Sequence, residues 1–156
     1  MPKSSAGLLL FRRTAEGTTE VLLVHPGGPF WAKKDEAAWS IPKGEFEAED
    51  PLAAAEREFE EELGSPAPVG ERIELGQVAQ SGAKVVVAWA VEGDFDTTGV
   101  VSNTFDMEWP PRSGRVGTFP EVDRAQWMTL GGARAKLLRG QRELLERLEA
   151  VLAGRG

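Results

Sequence analysis

The chain has 156 residues, 41% of them hydrophobic and 28% charged, which fits one globular domain rather than a disordered chain. A domain of this size buries about two-thirds of its unfolded surface. Its net charge of −7 argues against broad affinity for nucleic acid or an anionic membrane, and the lack of cysteine excludes disulfides and thiolate metal ligands. The N-terminal apolar stretch Ala6 to Phe11 is too short for a membrane span and runs into Arg12 and Arg13. The expectation is a single domain over 1–156, cytoplasmic, with no nucleic-acid or membrane partner.

In chain order, Ala6 to Phe11 and Glu20 to His25 read as strands joined by a turn, after which Pro26-Gly27-Gly28-Pro29 opens a loop holding Phe30, Trp31, Lys33 and Lys34. A short strand is expected at Trp39 to Ile41, leading into Pro42-Lys43-Gly44. Asp50 before Pro51 is a helix start, and Gly64 before Ser65-Pro66 is a stop. Ile73 to Ala79 and Lys84 to Val91 follow as strands, the second a continuous apolar run. Glu92 to Pro120 reads as one long loop, Val122 to Met128 as a last strand, and Ala133 to Leu152 as an amphipathic helix. Strands around one central helix, closed by another helix, predict an α/β fold with a mixed sheet covered on both faces.

The central helix carries the chemistry. From Glu45 to Glu62 there are nine acidic residues and a single base, Arg57, whereas a solvated helix would intersperse cations one turn away. Glu58, Glu61 and Glu62 share one helix face, next to an apolar stripe of Leu52, Ala55, Phe59 and Leu63. Three carboxylates there repel one another unless a cation sits among them, and hard oxygen donors suit Mg²⁺ or Mn²⁺.

Glu49, seven further residues, and Arg57-Glu58-Phe59-Glu60-Glu61-Glu62-Leu63-Gly64 resemble the signature of the Nudix hydrolases, the MutT-like superfamily. Two positions depart from it: four residues rather than five separate Gly44 from Glu49, and Ser65 stands where an aliphatic residue is usual. The resemblance implies an α/β/α sandwich and a hydrolase of nucleoside diphosphates linked to another group. It also implies that Glu58, Glu61 and Glu62 bind the divalent ion. Arg57 either orients a glutamate through a charge-assisted hydrogen bond or pairs structurally with Glu61 one turn on. Family members usually draw a further carboxylate from outside the signature, often six residues before a Trp of the last strand. Glu121 before Trp127 fits that place, with Asp106 and Glu108 as rivals, and Glu58 and Glu121 are both candidate bases.

The Pro42-Lys43-Gly44 lead-in looks like that of dinucleoside polyphosphate hydrolases, with Lys43 as a phosphate contact. Trp31, Trp39 and Trp109 flank Gly/Pro loops and are candidates to stack on a base, with Trp39 and Trp109 preferred, whereas Trp89 and Trp127 read as core. The favoured substrate is a dinucleoside polyphosphate of the diadenosine tetraphosphate type. Nucleoside triphosphate pyrophosphohydrolysis is the alternative, and a silent nucleotide-sensing Nudix domain is the rival from another class.

Overall fold

The computed structural model describes residues 3–155. Strands β1 (Lys3–Arg13), β2 (Thr19–Pro26) and β3 (Lys43–Glu45) precede helix α1 (Pro51–Leu63). Strands β4 (Ile73–Ser81), β5 (Lys84–Glu92), β6 (Thr104–Glu108), β7 (Val116–Pro120) and β8 (Val122–Thr129) follow, then helices α2 (Leu130–Lys136) and α3 (Arg142–Gly154). The main sheet runs β4-β5-β1-β2-β8, with β3 paired to β1. Strands β1 and β5 are parallel and the other pairs antiparallel, so the sheet is mixed.

The continuous apolar runs of β1 and β2 are explained by burial on both faces. Side chains of a strand alternate between faces. Leu8, Leu10, Leu22 and Val24 meet Ala54, Ala55, Phe59 and Leu63 of α1, whereas Leu9, Phe11, Val21 and Leu23 meet Ala133, Leu144, Leu145 and Leu148 on the opposite side. Each leucine, valine or phenylalanine among them contributes roughly 1.5–3 kcal/mol on burial. These two cores clamp the sheet and fix where α1 presents its acidic face. Helix α1 begins as the sequence predicts, with the Asp50 carboxylate accepting from the Ala53 N–H at 3.0 Å. It ends at Gly64, whose φ of 83° is left-handed and whose N–H donates to the Glu60 carbonyl. Among the described residues, no helix is long and apolar enough to cross a membrane.

Three expected elements differ. Trp39 and Ser40 form only isolated bridges, to Leu137 and Val24, and the strand lies further on at β3. The stretch expected to be a loop contains a short 3₁₀ turn at Thr97–Gly99 and the hairpin β6–β7. The expected C-terminal helix is two helices, because Leu137 leaves α2 in an extended conformation and a 3₁₀ turn, Arg139–Gln141, precedes α3. The break is a packing device. Gly140 sits where a Cβ would lie 2.0 Å from the Gln80 carbonyl oxygen, and buried Gln141 bonds the Ile41 N–H, Ser40 and Gln80.

Candidate active site

Strand β3 and helix α1 face each other, and glycine permits the closeness. A Cβ on Gly44 would fall 2.0 Å from the carboxyl carbon of Glu58. Glu58 is 8% exposed, a low value for a carboxylate, and its Oε1 accepts from Arg57 Nη1 at 2.8 Å. The same nitrogen reaches both oxygens of Glu61 at 3.2 Å, and the other arm of the guanidinium holds Glu49. Arg57 thus spans three carboxylates, and Glu49 reaches it despite the short preceding loop. Glu62 turns the other way, accepting from the Lys43 N–H at 3.2 Å.

The electrostatics of this cluster are strained in one direction. Burial pushes the Glu62 carboxyl up to about 8, against the opposing bond and charge of Lys43. Burial also raises Glu58, with Glu61 adding repulsion. Glu121 is raised by burial and then by Glu61. The Lys43 ammonium is lowered, mainly by burial. Among the described residues, no three carboxylates converge as a ready-made metal cage, because Arg57 draws Glu58 and Glu61 aside while Glu62 faces Lys43. The donor set nonetheless fits a hard divalent ion: oxygen ligands only, on one rigid helix, with a repulsion that a cation relieves.

Glu121 sits at the junction of β7 and β8, held by its backbone. Its N–H donates to the Asn103 carbonyl at 2.8 Å, and the Asn103 N–H donates to the Glu61 carbonyl at 2.9 Å. Among the described residues, no donor binds the Glu121 carboxylate.

Glu121, Glu62 and Lys43 line a cavity of about 210 Å³ together with the apolar Val24, Trp31, Ala38 and Leu138. A second cavity of about 130 Å³ shares Lys43 and Gln80 with the first and is ringed by Lys3, Lys84 and Glu45. One compartment suits a flat apolar group and the other an anion.

The remaining sequence candidates separate clearly. Trp39 does not face the cleft: it is 2% exposed, packs edge-on against His25 at 5.1 Å, and its indole N–H donates to Asp35. Its Gly/Pro surroundings pointed to an exposed loop, whereas the α2–α3 break buries it. Trp109 lies at the far end of the β6–β7 hairpin, away from the residues lining either cavity. Asp106 bonds Thr118 across that hairpin, and Glu108 accepts from the N–H groups of Arg112 and Gly114 at its tip, so both have structural partners. His25 is fully buried between Asp123 and the Lys34 carbonyl. Trp89 and Trp127 are half-buried against the α1-side core. Gln80 carries no signal in the sequence, being a lone Gln near a strand's end, and it is tertiary packing that puts Trp31 in the cavity and Trp39 in the core.

The NUDIX domain family model matches residues 1–148, and the chain belongs to that family. It is a phosphoanhydride hydrolase of the Nudix type, a class acting on nucleoside diphosphates linked to another group and generally using divalent metal ions. A search of curated proteins found no significant match. Among solved structures it is similar to the Ap4A hydrolase of C. elegans in a binary complex, with 24% identity, 97% of this chain and 98% of that one covered, and a TM-score of 0.65. It is also similar to the NUDIX domain of Shewanella oneidensis NrtR complexed with ADP ribose, at 16% identity, 97% and 89% coverage, and a TM-score of 0.65. The C-terminal domain of mouse MUTYH, solved with human PCNA, shares 18% identity over 98% and 91% of the two chains, with a TM-score of 0.61. One fold thus serves quite different ligands, and substrate has to be argued from the site.

Proposed function

We propose that this protein hydrolyses a dinucleoside polyphosphate of the diadenosine tetraphosphate type, releasing a mononucleotide and a nucleoside triphosphate. The observation that carries this reading is the pair of neighbouring cavities that share Lys43 and Gln80, one with Trp31 and an apolar side and beside Glu62, the other ringed by Lys3, Lys43 and Lys84 with Glu45. A base against Trp31 and a polyphosphate chain running past Lys43 would use both at once. The likeness to C. elegans Ap4A hydrolase agrees with it.

Glu58, Glu61 and Glu62 would hold Mg²⁺ or Mn²⁺, which supplies neutralisation of phosphate oxygens that otherwise repel a nucleophile. Arg57 keeps Glu58 and Glu61 at a fixed spacing through charge-assisted bonds. Glu121 is the better base: no donor among the described residues binds its carboxylate, which is raised toward the proton affinity a base needs, whereas one Glu58 oxygen is already engaged by Arg57. A water attacks phosphorus, its proton passes to Glu121, and the anhydride P–O bond breaks toward the triphosphate. Lys43 lies beside that developing charge and offsets it.

The test is product analysis with diadenosine tetraphosphate and Mg²⁺, using EDTA and Glu61→Gln as controls. ATP and AMP should appear only with metal and only from the wild type. Hydrolysis of ATP or dATP to pyrophosphate with no cleavage of the dinucleotide would replace this reading by triphosphate pyrophosphohydrolysis.

A further inference from the structure

The hairpin β6–β7 delivers Glu121 to the cleft, yet it is largely exposed, and an isolated two-stranded hairpin is marginal in water. Something else must fix its exit. Strand β8 is the outermost strand of the main sheet, so its free edge has backbone groups without a ladder partner. At Val122, directly after Glu121, the Ser102 hydroxyl fills that role in both senses. It accepts from the Val122 N–H at 3.1 Å and lies 3.1 Å from the Val122 carbonyl oxygen, to which it can donate. The Asn103 carbonyl, 2.9 Å from the same hydroxyl, is the other acceptor within its reach. Asn103 then bridges by its main chain from the Glu61 carbonyl to the Glu121 N–H. From the opposite side, the Gly27 N–H donates to the Glu121 carbonyl at 3.0 Å, and Gly27 itself packs on Pro120, where a Cβ would lie 2.0 Å from the carbonyl oxygen.

We propose that Ser102 is a positioning residue for hydrolysis: its hydroxyl, with the Asn103 main chain, staples the Glu121–Val122 backbone to the carboxylate helix and thereby sets the distance from Glu121 to the reacting phosphate. A serine is suited to the place because a hydroxyl accepts and donates through one atom, as Val122 requires. The bonded path from the Glu61 carbonyl to Glu121 crosses one residue. A shift at this staple therefore moves the base relative to α1 without passing through the core. This inference rests on the reading of Glu121 as the base.

The experiment is a double-mutant cycle on the full chain, with steady-state hydrolysis of diadenosine tetraphosphate in Mg²⁺. Ser102→Ala should lower kcat by about 10- to 100-fold, as expected for a displacement near 1 Å, while KM stays within about twofold. Ser102→Thr keeps the hydroxyl and should restore kcat to within about threefold of wild type; melting curves of both variants check that each is folded. In the Glu121→Gln background, Ser102→Ala should cost less than about twofold further, because the group it positions is gone. An equal loss in both backgrounds, or a loss confined to KM, overturns the staple while leaving Glu121 as the base. Full activity of Glu121→Gln itself overturns the base assignment, and the staple with it.

Discussion

Replacing Gly44 by alanine adds a single methyl group to the structure at the point where β3 meets α1. Its φ lies outside the left-handed region, so alanine can adopt the backbone, and the effect is confined to the contact. The new Cβ would lie 2.0 Å from the Glu58 carboxyl carbon and from Oε2, and 2.4 Å from Oε1. Ordinary carbon contacts begin near 3.5 Å, so the carboxylate must retreat by about 1.5 Å. It has little room, because Glu58 is 8% exposed and anchored to Arg57 at 2.8 Å. Moving it either breaks that bond or drags the guanidinium, which also holds Glu49 and Glu61. A displacement of this size at a reacting centre costs on the order of 100-fold in rate, and the overpacking costs about 1–3 kcal/mol of stability. We therefore expect Gly44→Ala to be folded, with a modestly lower Tm and kcat/KM for diadenosine tetraphosphate reduced at least about 100-fold. Weakened Mn²⁺ binding, read by electron paramagnetic resonance, should accompany the loss. A variant with wild-type kcat/KM and wild-type Mn²⁺ affinity would show that Glu58 is free to reorient and that the close β3–α1 approach is irrelevant to catalysis.

Other substitutions divide the site by role. Glu121→Gln should slow turnover far more than Glu108→Gln, because Glu108 caps the hairpin tip through two N–H groups rather than facing the cleft; the reverse order of rates would return the base to the hairpin. Trp31→Ala should raise KM roughly 10-fold with kcat nearly kept, as loss of a stacking face does. Trp39→Ala should instead cost about 3–5 kcal/mol in denaturant unfolding, as a core deletion does. Without metal, Glu62 remains protonated in the fold up to about pH 8, while its unfolded counterpart ionises near 4.5. The folded state then binds the extra proton, so stability is complete below that window and falls as pH rises through it, by at most about 1.4 kcal/mol per pH unit. Urea titrations at several pH values should show this decline, and saturating Mg²⁺ should flatten it; a metal-free stability that rises between pH 5 and 8 would refute the burial of Glu62.

What the sequence discloses here is what local periodicity can encode. Asp50, Pro51 and Gly64 bound the helix, and a turn of about 100° per residue places Glu58, Glu61 and Glu62 together whatever the remainder of the chain does. The same logic was available for the hairpin. Phe105 and Met107 alternate with Thr104, Asp106 and Glu108, a period of two, but Pro110, Pro111, Gly114 and Gly117 made the whole stretch read as loop. Trp31 follows Pro26-Gly27-Gly28-Pro29 and Trp39 precedes Pro42-Lys43-Gly44, so each flanks a Gly/Pro loop and that flank does not separate them. They part in the fold: Gly140 lets the α2–α3 break lie against Gln80, Leu137 bridges Trp39, and Trp39 is buried. The apolar side of the cleft is thus a product of long-range packing: Val24 comes from β2, Ala38 from the following loop, Leu138 from the helix break and Val122 from β8. Carboxylates that need only one helix can be read from spacing. A pocket that needs four segments has to be folded first, which is why the reaction class is legible in this chain while what the cavity beside Trp31 accepts depends on the assembled site.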